Sequence, residues 1–184
     1  MLETNFSLFI EINTERLLLR CIKKSDAPAL LFLRSDETVM QYIDREKTKT
    51  LEEAEAFVTL ILESLKKNEG IMWAICLKDE SDKLIGTIGY WRLMKQHYRA
   101  EVGYMLHPNH WNKGIMKEAL LAVVDFGFRT IKLHSIEAHI NPENAASGIL
   151  LEKAGFTREA YFKEDFYFRG KFINTAVYSL LNKS

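Results

Sequence analysis

Three strand-like runs crowd into residues 71–106, and their spacing limits the fold more than any other feature of this 184-residue chain. They are residues 71–77 (Ile-Met-Trp-Ala-Ile-Cys-Leu), Leu84 to Leu93 and Ala100 to Leu106, with the charged turn Lys78 to Lys83 between the first two. Parallel neighbours need a crossover of about a dozen residues or more. These gaps are too short for one, so the spacing predicts an antiparallel meander. An earlier strand is expected at 16–22 and a later one at Ser135 to Ile140. Two final strands, about Thr157–Phe168 and Phe172–Leu181, meet at the hairpin candidate Arg169-Gly170.

Helical patterns fill the intervals. Ser25-Asp26, with Pro28 in the first turn, opens a short helical stretch through Tyr42. In residues 51–66, Leu51, Ala54, Phe57, Val58, Ile61, Leu62 and Leu65 fall on one helical face, and Thr50 with Glu53 reads as a capping box. A third helix runs from Gly114 to about Arg129, with Met116, Ala119, Leu120, Val123 and Val124 on one face. Asn141-Pro142 reads as N-cap and first-turn proline of a fourth, which ends at Gly155. The order β, α, α, βββ, α, β, α, ββ predicts a mixed α/β layer fold around a largely antiparallel sheet. No linker or repeat divides the chain, so one domain, residues 1–184, is expected.

Composition narrows the function. Twenty-five basic residues balance twenty-five acidic ones, which argues against a nucleic-acid binder driven by bulk charge. The apolar run Ala119 to Val124 is far too short to span a bilayer. No secretory signal is read at the N-terminus, and Cys21 and Cys76 read as reduced thiols, so a cytoplasmic protein is expected. Among five histidines, His107 and His110 are spaced H-x-x-H without a third ligand, and His134 and His139 would face opposite sides of a strand; no metal is expected.

The chemistry concentrates in Val102 to Ala119, a strand, a loop (His107 to Gly114) and a helix. Exposed amides and the helix dipole make such a corner suited to a pyrophosphate. Gly114 permits close approach and Lys113 adds a charge, although neither GxxxxGK[ST] nor GxGxxG is present. Further on, Asn144, Ser147 and Leu151 share one helical face. That face reads either as polar lining for a ligand or as a capping residue with a solvated serine.

Trp111-Asn112-Lys113-Gly114-Ile115-Met116 resembles the acetyl-CoA loop of the GNAT N-acetyltransferase superfamily. Thr14 to Arg20, Glu101 to Pro108, Asn141 to Ser147 and Glu152 to Phe156 resemble, in order, the RimJ/RimL-like (ribosomal-protein N-acetyltransferase) branch. The likeness covers about residues 14–181. It implies a GNAT-type α/β (α+β) fold of about seven strands and four helices, and transfer of an acetyl group from acetyl-CoA directly to a primary amine. The acceptor would be a small molecule or a protein N-terminus, such as that of a ribosomal protein. Direct contact with nucleic acid or membrane is not implied, and the chain would be a monomer or homodimer.

The resemblance also implies residue roles. Amides of Asn112, Lys113, Gly114, Ile115, Met116 and Lys117 would take the pyrophosphate, with Trp111 beside them. Met105 and Leu106 would pair with the pantetheine arm, and Asn141 and Asn144 would hold it. A backbone N–H near Met105 or Leu106 would face the thioester oxygen. Glu101 is the expected general base and reads equally well as a salt-bridge partner. Ser147 would hydrogen-bond the departing thiolate, with Tyr104 and Tyr167 in reserve. Two departures stand out: Leu151 occupies the place where many superfamily members carry an acidic tyrosine, and Phe166 the place of a base used in part of the branch, with Glu164 and Asp165 beside it. A non-catalytic acyl-CoA-binding module is the alternative that the loss at Leu151 leaves open. Trp73, Trp91, Tyr161 and Phe162 read as acceptor-groove or core aromatics.

Overall fold

The meander forms as its spacing predicts. In the computed structural model, which describes residues 1–6 and 8–183, β1 is Ile12–Asn13, β2 Leu17–Cys21, β3 Ile71–Leu77, β4 Gly86–Met94, β5 Arg99–Leu106, β6 Ser135–Ile140, β7 Thr157–Phe168 and β8 Lys171–Leu181. They form one sheet in the order β1-β2-β3-β4-β5-β6-β8-β7. Every neighbouring pair is antiparallel except β5 and β6, which the long connection through residues 107–134 allows to run parallel. The hairpin turn is also as expected: Arg169 (φ 48°) and Gly170 (φ 81°) are both left-handed, the two-residue arrangement that suits the twist of the flanking strands.

The helices are α1 (Ala27–Ser35), α2 (Glu37–Met40), α3 (Leu51–Lys66), α4 (Ile115–Arg129) and α5 (Ala145–Lys153). Alternation along the strands gives the sheet two apolar faces. Ile71, Trp73, Ile75, Val102 and Leu106 pack with Leu120 and Val123 of α4 and Leu151 of α5. Ala74 and Cys76 point the other way, into a cluster with Leu30 and Leu33 of α1 and Ala54 and Val58 of α3.

Local departures from expectation have local causes. The sheet holds eight strands, because a two-residue β1 too short to show periodicity adds to its edge. The stretch through Tyr42 is two helices: extended Asp36 ends α1, and its carboxylate accepts from Thr38 N and Val39 N to start α2. Thr50 caps α3, but Glu53 reaches back to Lys49 N, 2.7 Å, one residue before the cap. Helix α5 starts at Ala145, not after Asn141. Asn141 Oδ1 accepts from Glu143 N in a turn of its own, and Asn144 is the N-cap, accepting from Ser147 N at 3.0 Å. Strand β7 slips register between Phe162 and Phe166, where Glu164 (φ 55°) donates its N–H to Asn174 Oδ1. No helix among the described residues is long and apolar enough to cross a membrane.

One buried ion pair ties the start of α1 to the sheet. Arg20 of β2 grips Asp26 through two bonds of 2.8 Å, and both side chains are only 3% exposed. The remaining polar atoms are satisfied: Arg20 also donates to the carbonyls of Cys21, Ser81 and Asp82, and Asp26 Oδ2 accepts from Lys23 N. Removing one partner strands the other charge in the interior. We expect Asp26→Ala to lower the unfolding free energy by about 3–5 kcal/mol in urea titration; a loss below about 1 kcal/mol would show that the pair is dispensable.

Candidate active site

Parallel pairing of β5 with β6 covers only Arg99–Ser135, Ala100–Ile136 and Glu101–Glu137. Beyond it β5 continues to Leu106 on β4, and β6 continues to Ile140 on β8, with no bond between them. The strands part, and a wedge opens in the middle of the sheet. Its facing edges carry backbone N–H and C=O groups that an extended molecule could pair with.

Glu101 stands where the wedge begins. Alternation puts it on the same face as Met105, toward α1 and α3. Its side chain is 6% exposed. Arg92 Nη1 lies 3.2 Å from Oε2, yet that buried oxygen has no hydrogen-bond donor. Burial pushes the carboxyl above the usual glutamate range; His139, Arg92 and Arg45 pull it back in part, and Glu137 adds to the rise. Glu137 is ion-paired to Arg99, and His139 Nε2 lies 3.5 Å from Glu137 Oε1.

Tyr104 and Ser147 occupy the opposite face, on the side of α4 and α5. Their hydroxyls are 2.6 Å apart. Burial raises Tyr104 to about 12 despite that bond, so the phenol stays protonated at neutral pH and can donate. The expected ligand face of α5 therefore divides. Ser147 points to Tyr104, Asn144 is spent in part on the cap, and Leu151 is fully buried in the apolar core.

The loop after β5 is built to expose amides. Trp111 Nε1 donates to Leu106 O, 2.7 Å, pinning the loop to the strand end. Asn112 (φ 58°) and Gly114 (φ 74°) are both left-handed, and Gly114 offers no side chain to cap α4. The first-turn N–H groups from Ile115 onward thus face outward beside the positive end of the dipole. Ile115 and Met116 turn their side chains into the core, whereas Lys113 and Lys117 are exposed. A β-carbon on Gly114 would meet only Arg16 Nη2, at 3.4 Å, so the loop's outer side is open.

The sequence reading missed Arg16 and Glu118. Arg16 donates to Glu118 Oε2 (2.7 Å) and to Lys113 O (2.9 Å), and Thr14 also donates to Glu118. Burial raises the Glu118 carboxyl, but these bonds outweigh it and hold the group below its ordinary value. An acidic residue in the first turn of α4 would repel a phosphate; Arg16 neutralises it. The 102-residue separation hid this pair, although Arg16 lies in the Thr14–Arg20 stretch on which the family resemblance rests. The cluster of Glu137 and His139 with Glu101 was also hidden, since only strand register brings them together; the i, i+2 spacing of Glu137 and His139 was its one local sign.

Other expected residues lie apart. Tyr167 is 62% exposed and packs on Phe172. His107 stacks on Phe32 and takes the Asn109 N–H, while His134 precedes β6. Trp73 is core, with its N–H on Ile10 O; Trp91 is exposed beneath Arg92 and Arg45. A cavity of about 380 Å³ lies between the loop after α2 and the β7–β8 hairpin, lined by Glu37, Gln41, Asp44, Arg45, Arg169 and Lys171. Arg169 and Glu46 bridge loop and hairpin at 2.8 Å, and Asn141 hydrogen-bonds Asp44 at the same end.

A parted mixed sheet thus carries a glycine-turned amide loop on one side of its opening and a buried carboxylate on the other. Residues 16–157 match the acetyltransferase (GNAT) domain, and the chain belongs to the GNAT acetyltransferase family. It is 35% identical to the uncharacterized N-acetyltransferase YoaA of Bacillus subtilis over 174 residues, 95% of this chain and 98% of that one. A crystal structure of a GNAT-family acetyltransferase from Bacillus anthracis superposes with a TM-score of 0.83 at 31% identity, covering 95% of this chain and all of that one. The ribosomal-protein-S5-alanine acetyltransferase of Vibrio fischeri superposes at 0.84 with 27% identity over 95% and 98% of the two chains. The chain is thus an N-acetyltransferase of the GNAT family, similar to members of the RimJ/RimL-like branch.

Glu101 gives this site a signature in stability. Its carboxyl is raised in the fold, so the folded chain holds the proton longer than the unfolded one, and stability falls as pH climbs through the interval above the ordinary glutamate range. We expect Glu101→Gln to abolish that fall, so its stability relative to the parent improves as denaturation is moved from about pH 4 to 7. A difference that stays flat across that interval would mean the carboxyl is not raised.

Proposed function

We propose that the protein transfers the acetyl group of acetyl-CoA to a primary amine, with a protein N-terminal α-amine as the favoured acceptor. The observation that carries this is the wedge between β5 and β6, with Glu101 at its base on one face and the Tyr104–Ser147 pair on the other. Acetyl-CoA supplies an activated acyl carbon when bound. The outward amides from Asn112 to Lys117 would receive its pyrophosphate, with Lys113 adding positive charge and Arg16 cancelling that of Glu118. The edge of β5 near Met105 would pair with the pantetheine arm, with the amide of Asn144 beside it. Leu106 keeps its carbonyl on Trp111, so its remaining offer is the N–H. That N–H would stabilise charge gathering on the thioester oxygen, whereas Met105 sits opposite Thr87 and turns its own N–H to β4.

Glu101 would take a proton from the incoming amine. An α-amine near ~8 needs less help than a lysine near ~10.4, so one carboxylate of raised basicity suits the former. On the other face the Tyr104 hydroxyl, held by Ser147, can donate to the departing sulfur. The acid missing at Leu151 is thereby replaced from β5. The neighbouring cavity carries acidic and basic groups together, as befits a peptide terminus with its own polar backbone. The similarity to the ribosomal-protein-S5-alanine acetyltransferase of Vibrio fischeri favours the same acceptor class here. A small amine is the second acceptor class. The thiols of Cys21 and Cys76 suit a reducing, cytoplasmic setting.

Thiol release from acetyl-CoA, followed with peptides bearing a free N-terminal alanine or serine and with spermidine, tests this. Turnover on a peptide amine is the expected result; tight acetyl-CoA binding without turnover on any amine would make the protein a binding module instead. Gly114→Glu places bulk and negative charge in the loop and should abolish acetyl-CoA binding in calorimetry; undiminished affinity would move the phosphates elsewhere. Glu101→Gln should lower kcat by about 10²–10⁴ with little change in the KM for acetyl-CoA; a rate within a factor of two of the parent would remove Glu101 from the role.

A further inference from the structure

Glu101 poses a problem that its own surroundings do not solve. It is 6% exposed and its Oε2 is shut off from solvent, so a proton it takes from an amine has little direct contact with water. Each turnover would leave it as a neutral acid, unable to act again until that proton departs. The groups packed around it come from four segments: Arg92 on β4, Arg45 on the loop after α2, Arg99 on β5 itself, and Glu137 and His139 on β6. The arginines are permanent cations and cannot accept a proton. Glu137 is buried and held by Arg99.

We propose that His139, steadied by Glu137, is the relay that carries the acceptor's proton from Glu101 to solvent. This rests on Glu101 serving as the base. The geometry supplies each part. The parallel register sets Glu137 beside Glu101, and the period of two along β6 sets His139 on the same face. Ligand atoms of the three side chains lie within 4.8 Å of one another, and His139 Nε2 is 3.5 Å from Glu137 Oε1. The His139 side chain is 33% exposed, whereas both carboxylates are at 6%. It is the member of the cluster that lies within 4.8 Å of the buried acid and also reaches solvent.

The proton accounting closes. An N–H bond of the acceptor breaks and an O–H bond forms on Glu101. That O–H then breaks as a ring nitrogen of neutral His139 takes the proton, and the imidazolium, stabilised by the Glu137 carboxylate, releases it to water. Burial raises Glu101 above the usual glutamate range, so its neutral form persists to higher pH than that of an exposed glutamate. Arg92 and Arg99 lie against the two carboxylates and meet their charge. His139 acts through Glu101 and is a positioning residue for the reaction.

The test compares His139→Gln with the parent enzyme, using acetyl-CoA with an alanine-terminated peptide and with spermidine. The exposed position makes the substitution safe for folding. We expect kcat to fall about tenfold or more with the KM for acetyl-CoA unchanged. The acid limb of the pH–rate profile should move to higher pH, because a cation that eases ionisation of Glu101 is gone. Free imidazole in the buffer should restore the rate in proportion to its neutral form, which a purely structural defect would not allow. An unchanged rate and profile, or a fall that imidazole leaves untouched, overturns the relay. Glu101→Gln with full activity sinks the base reading instead. If neither amine turns over, the carboxyl titration of Glu101 by carbon NMR still decides: its midpoint should rise in His139→Gln, and a fixed midpoint overturns the proposal.

Discussion

Three residues of parallel pairing between β5 and β6 hold the site together, and their brevity is what makes it a site. Each strand has a full antiparallel partner on its other side, β4 for one and β8 for the other. The sheet can therefore open along this single seam without losing its integrity. The opening exposes backbone groups in the interior of a sheet, where they would ordinarily be paired. A ligand that supplies those bonds is held by main chain, and the side chains on either side are free for chemistry.

The seam also separates two kinds of chemistry. Alternation along β5 sends Glu101 to one face and Tyr104 to the other. One face gathers charge: two carboxylates, a histidine and flanking arginines. The other gathers neutral hydroxyls, with Tyr104 kept protonated by burial. In the proposed reaction, an amine that must lose a proton and a thiolate that must gain a hydrogen bond would thus be served from opposite sides of one strand, three residues apart in sequence. The amide loop completes the arrangement because Arg16 cancels the acidic Glu118 at the start of α4.

Much of the fold was legible because its signals are local. Turn lengths forced the meander, the α3 and α4 faces followed apolar spacing, and Arg169-Gly170 has the backbone its turn demands. The errors were local as well. Asn141-Pro142 looks like a helix start, but the asparagine closes its own turn and leaves the cap to Asn144. Asp36 broke a helix that the apolar pattern ran together. The candidate site was legible as a stretch of chain: Glu101, the loop around Gly114, and Ser147 were all named. Tyr104 is less legible, because nothing in the sequence shows that its hydroxyl lies 2.6 Å from that of Ser147.

By itself the sequence determined the order of the long strands and helices, the strand-loop-helix corner around Gly114 and the resemblance to a family. These depend on periodicity, turn chemistry and short motifs, which neighbouring residues carry among themselves. Only the tertiary structure decided where β5 leaves β6, which charges crowd upon Glu101, and that Arg16 crosses to Glu118. Each of those depends on register between segments far apart in the chain, and register is set by packing both faces of the sheet at once.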